Sequence, residues 1–136
     1  MIDLTNFSDL VPKSGRYSVD TTYIRITESQ CKLTLGKDAH ATVTKFLGPT
    51  VNAKVSPDLS VLVLTRGQDR RVNSADRSIS LISLKERLRE KYGASIGCIY
   101  FDCRWDEDES GRKVYVLKDN GRKEYNAEPT VRKLKG

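Results

Sequence analysis

The segment 31–48 has the sequence CKLTLGKDAHATVTKFLG, and its hydrophobic pattern changes from that of a strand to that of a helix. Residues 31–35 alternate between apolar and polar, as a half-buried strand does. Apolar residues then recur at helical spacing, at Ala39, Val43, Phe46 and Leu47. Gly48 suits a helix end that needs positive φ, and Pro49 prevents continuation. The segment therefore predicts a strand followed by a helix over 37–47.

The flanking sequence predicts strands on both sides of this segment. Residues 23–27 alternate as a strand before it. After it, 51–55 and 61–64 form a predicted hairpin, because 56–60 contain Ser, Pro and Asp. The polar, arginine-rich stretch 66–78 predicts a long exposed connection. Residues 1–22 are expected to form an arm or loop.

The second half of the chain predicts the same order of elements. A short strand at 79–82 precedes a helix at 84–92, with Ser83 and Glu86 as a capping box and Gly93 at its end. A second hairpin pairs 98–105 with 113–117 across an acidic turn. The turn-forming tripeptide 119–121 predicts that 122–125 fold back as an edge strand. Residues 127–136 form a basic tail.

These elements predict a single α+β domain over 1–136. Two βαββ-like units, 23–65 and 79–126, would form a mostly antiparallel sheet or small barrel with two short helices. In the alignment of the units, Leu33-Thr34-Leu35 corresponds to Ile79-Ser80-Leu81, and Val61–Leu64 corresponds to Val114–Leu117. Internal duplication is one explanation of this shared order. Chance recurrence of a common strand order is the other, because few residues are identical.

The first unit resembles the swapped-hairpin domain of AbrB-type transcription regulators. The residues that carry the resemblance are Lys32-Leu33-Thr34-Leu35, Lys37, Leu47-Gly48, Val51, Val55 and Val61-Leu62-Val63-Leu64. The chain departs from that family at Gly36, where a proline is usual, in about one extra helical turn, and at Pro49-Thr50, where Gly-Asp is usual. The resemblance implies an interleaved β core, often dimeric, that binds DNA with basic residues.

The length of 136 residues and a 31% charged composition fit one globular domain. The first 22 residues do not have the pattern of a signal peptide, and no apolar run is long enough to cross a bilayer, so we expect a cytoplasmic protein. Cys98 and Cys103 are five residues apart on one predicted strand and therefore point to opposite faces. Together with Cys31 they are expected to be buried thiols, neither disulfide-bonded nor zinc-bound.

The charge of the chain is unevenly distributed. The five carboxylates at 102 and 106–109, set against Arg104, sum to −4, and the rest of the +6 chain therefore carries +10. A basic surface attracts polyanions, nucleic acid above all, and arginine forks bind phosphates with two hydrogen bonds. An ordinary solubilising surface is the alternative. The candidate nucleic-acid-binding residues are Lys32, Lys37, Arg66, Arg70, Arg71, Arg77, Arg122, Lys123, Arg132, Lys133 and Lys135.

The acidic stretch favours a second function, which the sequence leaves open. Asp102, Asp106, Glu107, Asp108 and Glu109 could dock a basic protein partner. In a phage or mobile-element inhibitor of a host protein or nucleoprotein, such as an anti-CRISPR, the acidic turn or the basic loop would mimic or cover a nucleic-acid surface. Residues 106–111 resemble the start of a calcium loop, but Leu117 stands where the closing carboxylate is needed. With one histidine, His40, and no catalytic or phosphate-loop motif, we expect a non-enzymatic protein without cofactor or metal.

Overall fold

The computed structural model describes residues 20–126 and shows an α+β fold with two short helices. The strands are β1 (Thr22–Ile26), β2 (Cys31–Thr34), β3 (Thr50–Val55), β4 (Val61–Arg66), β5 (Arg70–Arg71), β6 (Ser78–Ser80), β7 (Ile96–Glu107) and β8 (Lys113–Tyr125). The helices are α1 (Lys37–Phe46) and α2 (Lys85–Tyr92), and a single 3-10 turn, Ile82–Leu84, precedes α2. The predicted arm lies largely, and the predicted tail wholly, outside the described residues.

All eight strands belong to one antiparallel sheet in the order β5-β3-β4-β8-β7-β1-β2-β6. The hairpin β3–β4 comes from the first half of the chain, yet it lies between β5 and β8 of the second half. Likewise, the hairpin β7–β8 lies between β4 and β1 of the first half. Each half therefore completes the sheet of the other.

The two edges of the sheet meet, so that the sheet is nearly a barrel. Asn73 and Ser78 exchange backbone hydrogen bonds of 2.8 and 3.2 Å, which links β5 to β6. Arg70 adds a bond across the same gap, because its Nη1 donates to the Ser80 carbonyl oxygen at 2.8 Å. The prediction of an exposed connection over 66–78 is therefore wrong in part. That stretch contains β5, and Val72 is buried.

Four strand pairs join the halves of the chain: β1–β7, β3–β5, β2–β6 and β4–β8. The last two bring together residues that correspond in the alignment of the two units. In one pair, Leu33 of β2 lies opposite Ile79 of β6, and both side chains are fully buried. The backbone N–H of Leu35 donates to Arg77, and that of Leu81 donates to Cys31, at 2.8 and 2.7 Å. In the other pair, β4 lies beside β8 with Val63 opposite Val116. These non-local pairs hold the barrel together.

The core lies inside the sheet, and the two helices add to it. Alternate strand residues point inward, among them Ile24, Leu62, Leu64, Ile99 and Leu117. Helix α1 contributes Val43 and is followed by the buried Leu47, and helix α2 contributes Leu88. Gly48 and Gly93 follow the helices with φ of 95° and 107°, as predicted. The prediction of a capping box at Ser83 and Glu86 is wrong, because α2 begins from the 3-10 turn without a side-chain cap.

Strands β7 and β8 form one long hairpin, so the predicted turn at 119–121 does not reverse the chain. Phe101 pairs with Asp119 and Ile99 pairs with Lys123, which leaves three residues of β8 opposite Tyr100 alone. Gly121 has φ of 91°, and the side chains of Asp119 and Asn120 accept the N–H groups of residues 121 and 122. The turn signal thus produces a bulge, and 122–125 continue β8.

We expect Arg70→Ala to destabilise the fold by about 1–2 kcal/mol, because the Ser80 carbonyl oxygen loses a charged donor at the closure of the barrel. The measurement is urea unfolding, monitored by circular dichroism. Arg87→Ala on the exposed side of α2 is the matched control and should change stability by less than about 0.5 kcal/mol. Equal stability of both variants would show that Arg70 does not support the closure.

Candidate nucleic-acid interface

A polar cleft of about 460 Å³ lies beside the junction of β5 and β6. Two of the predicted phosphate-binding residues, Lys32 and Arg71, lie in its wall. The remaining lining residues offer hydroxyl and amide groups: Asn73, Ser74, Ser78 and Ser80. Ammonium, guanidinium, hydroxyl and amide groups are all hydrogen-bond donors, and oxyanions accept from such donors. We call this feature the basic cleft.

Arg25 extends the positive charge of the basic cleft across the sheet. Arg25 lies directly opposite Lys32, and Lys32 lies opposite Ser80. Opposed residues share a face, and this is the outer face because Ile24 and Ile26 are buried. Sequence analysis did not select Arg25. The alternation of residues 23–27 was the available signal, since it makes Arg25 an outward residue of β1.

The loop between Asn73 and Ser78 forms one wall of the basic cleft and carries a carboxylate. Asp76 lies 3.6 Å from the Lys32 ammonium, and its Oδ1 accepts the Ser78 hydroxyl at 2.6 Å. The Ser78 hydrogen bond lowers the pKa of Asp76, against a smaller opposing effect of burial, and Lys32 lowers it further. Asp76 is therefore ionised at neutral pH.

The other arginines predicted on this stretch contact the protein itself. Arg70 reaches the Ser80 carbonyl, and its Nη2 donates to the Ser83 hydroxyl at 3.3 Å. Arg77 has φ of 57°, and its Nε donates to the Leu35 carbonyl oxygen at 3.1 Å. Arg66 Nη2 lies 3.5 Å from the Phe46 carbonyl oxygen. Of the four arginines, Arg71 is therefore the one that lines the basic cleft.

The remaining predicted basic residues lie on other parts of the molecule. Arg122 lies over the Tyr100 ring at 4.2 Å and pairs with Glu124. Lys123 is largely buried against Asp119, 3.1 Å away. Lys37 is exposed at the start of α1. The other three, Arg132, Lys133 and Lys135, lie outside the described residues.

The acidic stretch lies at the far end of the β7–β8 hairpin. The backbone N–H of Glu107 and the Arg104 guanidinium lower the pKa of Asp106. Backbone N–H groups of Arg112 and Ser110 lower the pKa of Asp108, which closes the turn. Asp102 accepts the Asn120 amide at 3.4 Å, whereas Glu107 and Glu109 are exposed at the tip. Most of these carboxylates therefore support the hairpin.

The thiols have the environment of structural cysteines. Burial raises the pKa of Cys31 to about 11 and also raises the pKa values of Cys98 and Cys103. A protonated thiol is a weak nucleophile and a weak metal ligand. Among residues 20–126, no three His, Cys, Asp or Glu side chains come together in a group suited to a metal ion.

Within the described part of the chain, neither helix has the length and apolar character that a membrane span requires. Comparisons with protein-family models, with curated proteins and with solved structures give no significant match.

We expect no calcium binding in the micromolar range at 106–111. The Asp108 carboxylate is already occupied by two backbone N–H groups, and Leu117, where a calcium loop needs its closing carboxylate, is fully buried. Isothermal calorimetry with CaCl₂ on the wild type is the measurement, and Asp106→Ala/Asp108→Ala is the control. Stoichiometric uptake that the double variant abolishes would contradict the expectation.

Proposed function

We propose that the protein is a non-enzymatic regulator that binds duplex DNA through phosphate contacts at the basic cleft. The observation that carries this proposal is the convergence of Lys32 and Arg71 on a cleft lined by hydroxyl and amide groups. Phosphate oxygens take hydrogen bonds from these side chains in most protein–DNA contacts. Arg25 supplies a third cation on the same face.

The spacing of these cations supports an extended polyanion as the ligand. Arg25, Lys32 and Arg71 lie on β1, β2 and β5, and neighbouring strands of a sheet are about 4.8 Å apart. With β6 between β2 and β5, the strands that carry the three cations span three strand spacings, about 14 Å. A single small anion contacts only one part of such a row, whereas successive backbone phosphates can contact all of it.

The interleaved sheet agrees with what the resemblance to AbrB-type regulators implies. We infer that one chain provides both halves of such a core by internal duplication. If a two-fold axis relates the two duplicated units, residues that correspond in their alignment pair with each other at the point where the axis passes through the sheet. Leu33 faces its aligned counterpart Ile79, and Val63 faces Val116. The bond from Leu35 to Arg77 has its counterpart in the bond from Leu81 to Cys31.

Because one chain would supply both halves, we expect a monomer in solution. Light scattering after size-exclusion chromatography should give the mass of one chain, 15.3 kDa, at micromolar concentration. A stable dimer would contradict this expectation, since the duplicated core leaves no half-barrel to be completed by a second copy.

DNA binding should depend on the basic cleft. We expect Arg25→Ala/Lys32→Ala/Arg71→Ala to weaken duplex binding at least about tenfold. The slope of log affinity against log salt concentration should become smaller in magnitude by about 2–3, because binding with fewer phosphate contacts releases fewer counterions. Fluorescence anisotropy at two salt concentrations, on duplexes of unrelated sequence, measures both quantities. The loss should be similar for every duplex, since phosphate contacts carry no base information.

The control removes the same charge from another part of the barrel. Lys54, Arg104 and Lys118 are exposed on β3, β7 and β8, so their triple alanine variant lowers net charge equally. Its DNA affinity should fall less than about threefold. Equal losses in the two variants would mean that the protein binds DNA only through its overall charge. Feeble duplex binding by the wild type, with tight binding to a protein target, would favour the inhibitor instead.

A further inference from the structure

The Asp76 carboxylate engages two of the donors that the basic cleft offers to a ligand. Lys32 and Ser78 both line the cleft. In the free protein the Lys32 ammonium lies 3.6 Å from Asp76 Oδ2, and the Ser78 hydroxyl donates to Asp76 Oδ1. An entering phosphate needs the same donors, because its oxygens accept hydrogen bonds from ammonium and hydroxyl groups.

The backbone around Asp76 fixes the position of this carboxylate. The Asn73–Ser78 bridge closes the loop at its base, and Asn73 Oδ1 accepts the Ala75 N–H at 2.8 Å. At the next residue, Arg77 adopts positive φ and donates to the Leu35 carbonyl oxygen. Among the lining residues of the cleft, these contacts use the Asn73 side-chain oxygen and the backbone groups of Asn73 and Ser78. Asp76 is therefore held in place before any ligand binds.

We propose that Asp76 is a built-in competitor for the phosphate of the bound nucleic acid, and that it limits how tightly the basic cleft holds its ligand. This inference rests on the proposed function. A phosphate that enters the cleft must take Lys32 and Ser78 away from Asp76 and then lie near a fixed negative charge. Both effects weaken binding, and the second remains for as long as the complex lasts.

The consequence is a contact that forms and breaks readily. Within residues 20–126 the Arg71 guanidinium has no hydrogen-bond acceptor or ion-pair partner, so it can meet a phosphate first, whereas Lys32 must exchange one anionic partner for another. Exchange of one charge-assisted contact for another yields less net free energy than the first formation of one, since the ammonium is already partly neutralised. Asp76 therefore sets affinity without contacting a base.

The test is Asp76→Asn, which removes the charge and keeps a side-chain oxygen that can accept the Ser78 hydroxyl. We expect duplex affinity to rise about three- to fivefold at fixed salt, the upper part of the range for one partly exposed charge contact. Glu109→Gln, at the exposed tip of the β7–β8 hairpin, changes net charge equally and should raise affinity less than about twofold. Anisotropy titration measures both, and thermal unfolding checks that each variant is folded.

A double-variant cycle with Lys32→Ala separates competition from simple repulsion. If Asp76 acts by holding Lys32, the gain from Asp76→Asn should shrink to about twofold or less when Lys32 is already alanine. An undiminished gain in that background, or equal gains from the Asp76 and Glu109 variants, would overturn the inference. Neither result touches the proposed function, which is tested separately by wild-type duplex binding and by the Arg25/Lys32/Arg71 variant against its charge-matched control.

Discussion

The pairing of β2 with β6 joins two fully buried residues that are 46 positions apart in the chain, Leu33 and Ile79. The rest of the structure depends on this contact, because the hairpin of each half pairs with strands of the other half. Hairpin β3–β4 finds its neighbours only in the second half, and β7–β8 finds its neighbours only in the first. Neither half can bury its own strands alone. The halves must meet along β2 and β6, and again along β4 and β8, before either core is complete, so the fold is dominated by non-local contacts.

The same register that fills the core also builds the basic cleft. Successive strand residues point to opposite faces, so burying Leu33 places Lys32 outside. Burying Ile79 likewise places its neighbours Ser78 and Ser80 on the cleft side of β6. A shift of one residue in the β2–β6 pairing would put Lys32 into the core, at a large desolvation cost. Core packing and ligand-facing chemistry are therefore specified by one set of hydrogen bonds.

The sequence predicts the local elements well, because hydrophobic period and glycine position are local signals. Both helices, their glycine ends and the first hairpin lie close to their predicted bounds, whereas β8 continues eight residues beyond the predicted 113–117. Strand order does not follow from such signals, since it depends on which distant strands pair. Asp119-Asn120-Gly121 illustrates the limit. The tripeptide has the chemistry of a turn, but the hydrogen bonds from β7 continue beyond it, and the local preference is met by a bulge.

The candidate site was harder to predict for the same reason. A cluster of arginines in sequence suggests a cluster in space, yet the closure of a barrel has its own demand for donors. The Ser80 carbonyl group accepts from Arg70 across the gap between the sheet edges, and the Leu35 carbonyl group, just after β2, accepts from Arg77. In the two-residue strand β5, alternation sends Arg70 towards that gap and its neighbour Arg71 towards the basic cleft. Two neighbouring arginines therefore have different roles: Arg70 links the two edges of the sheet, and Arg71 is available to a ligand. Charge counting cannot make that distinction, because it treats the two side chains as equal.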